Sequence, residues 1–516
     1  MCNTIRLGVI LVVAAVQYPA SRADEPSGKV APLALTANVK ESLDRISADS
    51  LRGHLSFLSS DLLEGRGTPS KGLDLAAEYI AAQFRRAGLE PIGGDGFFQT
   101  ADWKYSAPDP ESFACQWQID GESISIDADH ASGSLDHSLD LRPTATFKVD
   151  ARDAKALAAL DAAQVKEKVV LAEVPTPYKV DRSQMAEANR ARLCFLQRMD
   201  VLKPALIVDI DRDTKSVLGL RRDLAGRRSG RAQSSVPRIT LHSPRLAKVF
   251  EAMPAGPSVA TLSLRVGDPK ERAAKVRNVI GLLRGSDPSL KETFVIVSAH
   301  YDHLGIGPAN SSGDGIYNGA NDDGSGTVSV IEIASALATL NPRPKRSLVF
   351  LTFYGEEHGL VGSRYYVEHP VVPLEKTIVD INLEQAGRTD DSDGPRVSAA
   401  TVTGYDFSDV SSILRRAGQA VGVDVLKHPT KSDSYFGASD NASFARAGIP
   451  AHTISVAYAF PDYHGADDEW EKIDFVNMAR VDRMAALGLI TIANGPAPAW
   501  NKDNPGAAPY WKKNAR

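Results

Sequence analysis

The chain has few cysteines, few aromatic residues and no strong excess of either charge. Three of its 516 residues are cysteine, 7% are aromatic, and the formal net charge is −5. Cys2 lies in a segment that we expect to be removed, so only Cys115 and Cys194 remain, too few for a disulfide framework. Whether these two pair is left open by the sequence. The weak negative charge offers no basic surface, and we expect neither nucleic acid nor an anionic membrane as a partner.

Long apolar runs are also missing. The stretch Leu7–Val16 follows Arg6 and is about half of the roughly 20 residues that a transmembrane helix needs. It is followed by Pro19-Ala-Ser-Arg-Ala23, with small residues at positions −3 and −1 of a cut after Ala23. We therefore predict a signal peptide over residues 1–23, no transmembrane segment, and a secreted or periplasmic protein.

The length favours more than one domain. We expect an N-terminal segment over residues 24–107, whose stretch Gly72–Gly88 has helical apolar spacing, to contribute to the main domain. Residues 108–270 predict an inserted, β-rich domain, because short β-like runs alternate there with polar stretches. Residues 271–495 predict the main domain, and residues 496–516 an irregular tail.

The main domain alternates predicted strands and helices. The strands are Asn278–Leu283, Phe294–Ala299, Leu348–Phe353, Ile378–Leu383, Arg396–Val402 and Ala451–Ser455; the helices are Thr327–Leu340, Ser363–Glu368, Phe407–Ala420 and Phe475–Ala493. Such alternation predicts an α/β fold in which a mixed, mainly parallel sheet is flanked by helices on both faces.

Five potential metal ligands lie where predicted strands stop or in the loops that follow: His300, Asp322, Glu357, Glu384 and His464. Ligands of open α/β sheets bind beyond the carboxyl ends of the strands, so these side chains can converge although they are far apart in sequence. Two imidazoles and three carboxylates suit a pair of zinc-like ions that share one bridging carboxylate. A hydrolase is the first interpretation.

Three further residues fit this chemistry. Asp302 stands two residues after His300, on the same side of an extended chain, and can orient its imidazole. Glu356 adjoins Glu357 and can remove a proton from water if it is not itself a ligand. The hydroxyl of Tyr463 could donate to a developing oxyanion. Each residue alone also has a purely structural explanation; Asp322 or its neighbour, for example, could simply cap the helix that follows.

The segments VSAHYDHLG, GANDDGSGTVSVIEIA, LTFYGEEHGLVGSRYYV, INLEQAGR, SDNASFARAGIP and YHGADDEWEKID together resemble the M28 family of zinc metallopeptidases, which are mostly aminopeptidases. The resemblance implies a zinc-exopeptidase-like fold with two Zn²⁺ ions per chain. It also implies that residues 108–270 correspond to the protease-associated (PA) domain that some members carry. SSDLLEGRGTPSKG, residues 59–72, resembles the segment that precedes the catalytic domain in many members.

The resemblance implies the following roles. His300 and Glu384 would hold one zinc, Glu357 and His464 the other, and Asp322 would bridge them. Glu356 would be the general base that activates a metal-bridged water, Asp302 the orienter of His300, and Tyr463 an oxyanion donor. One departure stands out: the family usually has aspartate in place of Glu384, and Gln385-Ala386 replaces an apolar pair beside it.

The expected function is therefore a di-zinc aminopeptidase acting on peptides with a free N-terminus. A carboxypeptidase on the same scaffold would need an arginine aimed into the pocket, for which Arg364 and Arg388 are near enough in sequence. A glutaminyl cyclase would be expected to use one zinc, and the full ligand set favours two. A non-catalytic, receptor-like protein is disfavoured by the same ligand set and by Glu356.

Overall fold

The structure is a computed structural model of the chain. It describes residues 33, 35–107, 109–134, 138–175, 182–212, 236–268, 270–307, 310 and 312–511. The predicted signal peptide, residues 1–23, lies outside the described residues. Among the helices of the described part, none combines the length and the apolar character needed to cross a membrane.

The described strands are numbered in chain order. Two precede residue 108: β1 (Glu90–Pro91) and β2 (Phe98–Ala107). Eight follow within residues 114–266: β3 (Ala114–Ile119), β4 (Glu122–Ile126), β5 (Ala131–Ser134), β6 (Leu139–Lys148), β7 (Val169–Ala172), β8 (Leu206–Asp211), β9 (Arg238–His242) and β10 (Gly256–Val266). The others are β11 (Lys270–Leu283), β12 (Phe294–His300), β13 (Gly305–Ile306), β14 (Ile316–Tyr317), β15 (Ser347–Phe353), β16 (Thr377–Leu383), β17 (Asp390–Asp391), β18 (Gly394–Pro395), β19 (Ala399–Val402), β20 (Asp424–Leu426) and β21 (Ala451–Ser455).

The described α-helices are numbered in the same way. They are α1 (Ala37–Asp44), α2 (Ala48–Leu58), α3 (Lys71–Arg86), α4 (Ala154–Ala159), α5 (Ala162–Val165), α6 (Arg182–Leu202), α7 (Pro244–Ala252), α8 (Gly326–Leu337), α9 (Val361–Glu368), α10 (Val410–Val421), α11 (Lys431–Ser434), α12 (Asn441–Arg446), α13 (Phe475–Asn494) and α14 (Ala508–Trp511). The first three begin at hydroxyl side chains, those of Thr36, Ser47 and Ser70, each of which accepts a hydrogen bond from a free backbone N–H of the first turn.

A nine-stranded mixed sheet forms the centre of the main domain. Its order is β1-β11-β15-β12-β16-β21-β19-β20, and β2 also pairs with β11. The four strands β15, β12, β16 and β21 run parallel to one another. β11 joins them antiparallel on one side and β19 on the other. The predicted α/β class is confirmed, and the parallel strands are the central ones.

The central strand β15 is apolar on both faces because helices cover both sides of the sheet. Along β15, Leu348 and Phe350 pack into the larger hydrophobic cluster, with residues of α2, α3, α8 and α13. Val349, Leu351 and Phe353 point the other way, into a second cluster with α9 and α12. This period-two alternation explains why the strand is a continuous apolar run in the sequence.

Residues 114–266 form a second sheet, of eight strands in the order β4-β3-β10-β6-β7-β8-β9-β5. Strands β6 to β9 are parallel, and helices α4 to α7 lie between or after them, so this part contains more helix than the β-rich expectation. Its two hydrophobic clusters consist of its own residues and of Phe113. Cys115 is buried and Cys194 is exposed, and both are free thiols.

The structure differs from the expectation at the C-terminus. Within the segment expected to be irregular, residues 496–516, the short helix α14 forms and Trp500 stacks on Tyr510 with ring centroids 5.7 Å apart. The indole N–H of Trp500 donates to the carbonyl of Gly448 at 2.9 Å. The aromatic rings therefore fix this segment against the sheet.

Candidate metal centre

The five predicted ligands meet at the carboxyl ends of the parallel strands. His300 is the last residue of β12, Glu384 directly follows β16, and Glu357 follows β15. Because β12 and β15 are parallel and His300 pairs with Phe353, the loop carrying Glu357 starts at the level of His300. His464 comes from the loop after β21. The parallel register, rather than sequence proximity, brings these side chains together.

Asp322 lies at the centre of the cluster. One of its oxygens, Oδ1, is 3.4 Å from Nε2 of His300, and the other, Oδ2, is 3.1 Å from Nε2 of His464. The same His464 nitrogen is 3.4 Å from Oε2 of Glu357. A carboxylate placed between two imidazoles in this way has the geometry of a bridging ligand.

Two groups of three potential ligands share Asp322. The first is His300, Asp322 and Glu384, and the second is His303, Asp322 and Glu357; within each group the ligating atoms lie within 4.8 Å of one another. The first group matches the set expected from the sequence. The second contains His303, which the sequence interpretation did not include, while His464 contacts both Asp322 and Glu357 from the loop side.

Several ligating atoms are buried without a hydrogen bond among the described residues. They are Nε2 of His300, Nδ1 and Nε2 of His303, Oε1 of Glu357 and Oε2 of Glu384. Nδ1 of His303 and Oε1 of Glu357 are 2.8 Å apart, yet they are not aligned for a hydrogen bond. Buried polar groups without partners are costly, so unpaired nitrogen and oxygen atoms that face one another fit bound cations. Imidazole and carboxylate donors in this mixture suit zinc.

The Asp322-Asp323 pair divides two tasks between its members. Asp323 turns away from the cluster and caps α8, accepting a hydrogen bond from the N–H of Gly326 at 2.9 Å. Asp322 turns into the cluster. Its backbone is held by the buried carboxylate of Asp468, which accepts hydrogen bonds from the N–H groups of Asn321 and Asp322 at 3.0 to 3.1 Å. Asp323 therefore caps the helix, and Asp322 is available to face the cluster as a potential ligand.

Asp302 connects His300 to Glu356. Its carboxylate oxygen Oδ1 is 3.6 Å from Nδ1 of His300 and accepts a 3.0 Å hydrogen bond from the backbone N–H of Glu356. The other oxygen accepts from the hydroxyl of Thr68 at 3.1 Å. Nδ1 of His300 also lies 3.2 Å from the carbonyl of Asp302. Asp302 is thus placed to orient the imidazole and to fix the start of the loop with the glutamate pair.

The charges in the cluster shift its pKa values in different directions. Burial, reinforced by Glu357 and Glu384, holds the pKa of Glu356 well above its ordinary value. Burial also raises the pKa of Glu384 to about 7. The burial of Asp322 acts in the same sense, but the neighbouring imidazoles of His300 and His464 outweigh it, and its pKa is lowered. The lowered pKa of Asp322 favours its ionised form, whereas the raised pKa of Glu356 makes its carboxylate a stronger base.

Tyr463 and the two arginines have distinct positions. The ring of Tyr463 stacks on His464 with centroids 3.9 Å apart, and burial and the carboxylates of Asp322 and Glu357 raise its pKa, so its hydroxyl keeps its proton. Arg388 is held by Asp390 at 2.6 Å and by Asp462 at 2.7 Å. Nε of Arg364 donates to the carbonyl of Leu360 at 3.3 Å. Neither arginine lines the cavity beside the cluster.

Three residues that the sequence interpretation missed support the centre: His303, Asp468 and Arg66. His303 lies inside the segment VSAHYDHLG and Asp468 inside YHGADDEWEKID, so an imidazole or acid within a few residues of a predicted ligand was the available signal. Arg66 had none, because a lone arginine in a polar stretch is normally exposed. It is buried here and donates to four backbone carbonyls around the cluster.

Comparison with known proteins gives the same assignment for this part of the chain. Residues 278–488 match the model of peptidase family M28. They contain all five predicted ligands and the glutamate pair. We call residues 278–488 the M28 segment. The M28 segment coincides with the strands and helices that surround the cluster, from β11 to α13.

Relatives of the M28 segment are named for different activities. The chain is 30% identical over 203 residues to Aminopeptidase YwaD of Bacillus subtilis, which covers 38% of this chain and 40% of that protein. It is 27% identical over 265 residues to the Probable glutamate carboxypeptidase LAMP1 of Arabidopsis thaliana, which covers 47% of this chain and 35% of that protein. The chain therefore spans less than half the length of these curated relatives.

A solved structure extends the likeness in fold beyond the M28 segment. BSAP, a zinc aminopeptidase from Bacillus subtilis, superimposes with a TM-score of 0.55 at 20% identity. The superposition covers 90% of this chain and 98% of BSAP, so most of both chains share the architecture.

Proposed function

We propose that this chain is a zinc metallopeptidase of the aminopeptidase type, which removes N-terminal residues from peptides. The observation that carries the proposal is the arrangement around Asp322. Two groups of ligands share this carboxylate, their facing atoms have no hydrogen bonds among the described residues, and Glu356 lies beside them outside both groups. A ligand set for two ions with an adjacent free carboxylate is what metal-assisted hydrolysis requires.

We assign one zinc to His300, Glu384 and Asp322, and the second to Asp322, Glu357 and one of two histidines. His464 is the histidine that we favour for the second ion, with His303 as the alternative inside the cluster. Zinc ions bound there would polarise the scissile carbonyl and lower the pKa of the attacking water. The longer side chain of Glu384 can reach the first group from its position directly after β16.

The remaining steps belong to the protein's own side chains. Glu356 removes the proton of the attacking water and delivers it to the leaving nitrogen, for which its raised pKa is suited. Asp302 keeps the imidazole of His300 and the backbone of Glu356 in place. The protonated hydroxyl of Tyr463 donates to the oxyanion. The free amine of the substrate is drawn to the carboxylates of the cluster.

A carboxypeptidase is the second candidate, because the relative LAMP1 is named as a probable glutamate carboxypeptidase. It would need a cation in the cavity to bind the carboxylate of the substrate. None of the described residues that line the cavity is arginine or lysine, and Arg388 is already paired with two aspartates. The geometry therefore favours an aminopeptidase. A one-zinc cyclase is disfavoured by the second ligand group.

We also propose that the protein is secreted or periplasmic, with cleavage after Ala23, and that residues 108–270 are a PA-like domain. The ordered layout of residues 6–23 supports export. The separate sheet and separate hydrophobic clusters of residues 114–266 support an independent inserted domain. N-terminal sequencing of the exported protein tests the first of these; a mature chain that begins elsewhere than Asp24 would contradict it.

Chelation tests the proposed reaction. The purified protein with two equivalents of zinc should hydrolyse L-aminoacyl-p-nitroanilides but not N-acetylated ones. A chelator should abolish this activity and added zinc should restore it. Hydrolysis that survives complete zinc removal, or no hydrolysis with zinc bound, would contradict the proposal. Preference for N-blocked peptides with a free C-terminus would favour the carboxypeptidase.

Substitution of the base tests the assignment of Glu356. Glu356→Gln should lower kcat by about 10²- to 10⁴-fold, because the amide cannot accept the proton, while the zinc content stays at two per chain. Glu375→Gln, a change of the same chemistry at an exposed position, is the matched control and should retain full activity. Retention of kcat in Glu356→Gln would exclude this residue as the base.

A further inference from the structure

A cavity of about 260 Å³ opens beside the candidate metal centre. Asp322, Glu356, Glu384 and His464 line its side toward the cluster. The rest of its wall is formed by aromatic rings and polar side chains, which are those of Gln385, Thr403, Tyr435, Ser439, Thr453, Ser455, Tyr458 and Tyr463, with Ala438 as the one aliphatic member. In a peptidase, the side chain of the residue being removed would occupy such a cavity.

Outside the candidate metal ligands, three atoms of this wall have unmet hydrogen-bonding capacity, and they belong to Gln385, Ser455 and Tyr458. Oε1 of Gln385 and Oγ of Ser455 are both buried and have no hydrogen-bond partner among the described residues. Gln385 is 6% exposed and Ser455 is 2% exposed, so both side chains are more than nine-tenths buried. Water or a ligand must satisfy these atoms, because a buried polar group left unpaired costs about 1–3 kcal/mol.

The backbone around these two residues is fixed, which makes them suitable for selecting a ligand. The N–H of Gln385 donates to Asp323 at 3.2 Å, and its carbonyl accepts from the N–H of Val456 at 3.1 Å. The carbonyl of Ser455 accepts from the hydroxyl of Thr401 at 2.9 Å. The hydrogen bond between Gln385 and Val456, the residue after Ser455, places the two side chains in neighbouring positions of the wall.

The charges of the wall limit which side chain it can accept. Its ionisable groups other than tyrosine are Asp322, Glu356, Glu384 and His464, and all four belong to the candidate metal centre. No lysine or arginine lines it to neutralise an acidic side chain. An aliphatic side chain would leave Gln385 and Ser455 unpaired. An uncharged side chain that both donates and accepts hydrogen bonds satisfies both residues.

We propose that this cavity selects an N-terminal residue with a primary amide side chain, glutamine or asparagine, over leucine or methionine of similar size. The amide N–H would donate to Oε1 of Gln385, and the amide carbonyl would accept from the hydroxyl of Ser455. The inference rests on the proposed aminopeptidase function. It assigns the preference to two residues, Gln385 and Ser455.

The test compares kcat/KM of the two-zinc protein for the p-nitroanilides of glutamine, asparagine, leucine, methionine, glutamate and alanine. The amide substrates should exceed leucine and methionine by at least about tenfold, since a site built to hydrogen-bond a substrate discriminates against an analogue that cannot. Leucine, methionine or glutamate as the best substrate would overturn the inference and leave the proposed function intact.

Two variants locate the preference. Gln385→Met keeps the volume of the side chain and removes its amide, and Ser455→Ala removes the hydroxyl. Each should reduce the ratio of glutamine to leucine activity by at least about fivefold. Ser411→Ala removes another buried hydroxyl without a hydrogen-bond partner, on α10 outside the cavity, and should leave the ratio unchanged. Unaltered ratios in both cavity variants would also overturn the inference.

A binding measurement separates this inference from the proposed reaction. If no p-nitroanilide is hydrolysed, the proposed function fails, and calorimetric titration of the zinc-loaded protein with L-glutamine and L-leucine decides the inference. Glutamine should bind at least about tenfold more tightly, and this advantage should disappear in Gln385→Met. Equal affinities, or tighter binding of leucine, would overturn it. Release of ammonia from N-terminal glutamine without peptide cleavage would support the cavity assignment and replace the proposed reaction.

Discussion

At the scale of single residues, Arg66 shows how a side chain outside the ligand set holds the site together. Its guanidinium is fully buried and donates to the carbonyls of Leu58, Tyr301, Asn318 and Gly319 at 2.6 to 2.9 Å. Tyr301 follows His300, and Asn318 and Gly319 begin the turn that carries Asp322. Burial lowers the pKa of Arg66 to about 10, so the group remains charged at neutral pH.

We expect Arg66→Lys to destabilise the protein by about 2–5 kcal/mol and to weaken zinc binding. A lysine cannot reproduce the planar set of donors, so at least one buried carbonyl is left unpaired. Thermal unfolding and zinc content after dialysis measure both effects. Arg52→Lys, at an exposed ion pair on α2, is the matched control and should change neither. Unchanged melting and zinc retention in Arg66→Lys would show that the four hydrogen bonds are dispensable.

Single residues also show how much of the candidate site could be predicted from the sequence. All five predicted ligands converge in the structure because each one stands at the end of a strand or in the loop beyond it, and strand ends are visible as the ends of apolar runs. His303 was missed although it is three residues from His300, because its inward direction depends on the path of the loop after β12. The role of Arg66 could not be predicted from the sequence, because its partners are backbone carbonyls and every residue has one.

At the scale of elements, the predicted central strands lie within one or two residues of the observed ones where both faces are buried. β12 and β15 differ from their predicted bounds by a single residue each. β2 was not predicted. It alternates buried Gln99, Ala101 and Trp103 with exposed polar residues, and the buried amide of Gln99 accepts a hydrogen bond from Asn278 at 2.9 Å. Because the polar residue Gln99 lies on the buried face, the alternation of apolar and polar residues did not predict this strand.

A buried acid lies between two helices on one side of the sheet. Asp482 of α13 is fully buried beside Ser329 of α8, and both of its oxygens are without a hydrogen-bond partner among the described residues. The hydroxyl proton of Ser329 is already donated to the carbonyl of Ser325 at 3.0 Å. Burial, reinforced by the charge of Glu332, raises the pKa of Asp482 to about 8. The acid is therefore protonated in the folded protein at neutral pH.

The protonation of Asp482 predicts that the free energy of unfolding depends on pH, and that substitution of this residue removes its contribution. An aspartate in an unfolded chain has a pKa of about 3.9, so between roughly pH 4 and pH 8 the unfolded chain releases a proton that the folded protein keeps. Asp482 accordingly makes folding less favourable as the pH rises through that window. Asp482→Asn should raise the free energy of unfolding by at least about 1 kcal/mol at pH 8 and by much less at pH 4.5.

Urea unfolding of the metal-free protein at the two pH values measures the difference. Asp503→Asn, an exposed position near the C-terminus, is the control and should have no effect at either pH. A uniform loss of stability in Asp482→Asn at both pH values would mean that the residue is ionised and satisfied in the folded protein.

At the scale of the whole molecule, the long antiparallel pair of strands β2 and β11 lies where the chain passes between the two sheets. These strands run antiparallel from Phe98 opposite Val279 to Ala107 opposite Lys270. The chain leaves the main domain and returns to it at adjacent positions of one ladder. The described hydrophobic residues of 114–266 contribute to neither cluster of the main domain. Separate cores and neighbouring ends are the properties of a domain that can be inserted or removed.

We therefore expect the main domain to fold without the insertion. In a variant with residues 108–269 replaced by Asn-Gly, Ala107 and Lys270 would be joined by a two-residue hairpin turn that matches the twist of the strands. Loss of the exposed ion pair between Lys270 and Asp109 should cost little. The variant should be monodisperse, bind two zinc ions, and hydrolyse aminoacyl-p-nitroanilides with a kcat/KM within about tenfold of the intact chain. If the variant binds two zinc ions but loses activity only toward longer peptides, the inserted domain binds the substrate. If the product is aggregated or free of zinc, the two sheets fold as one unit.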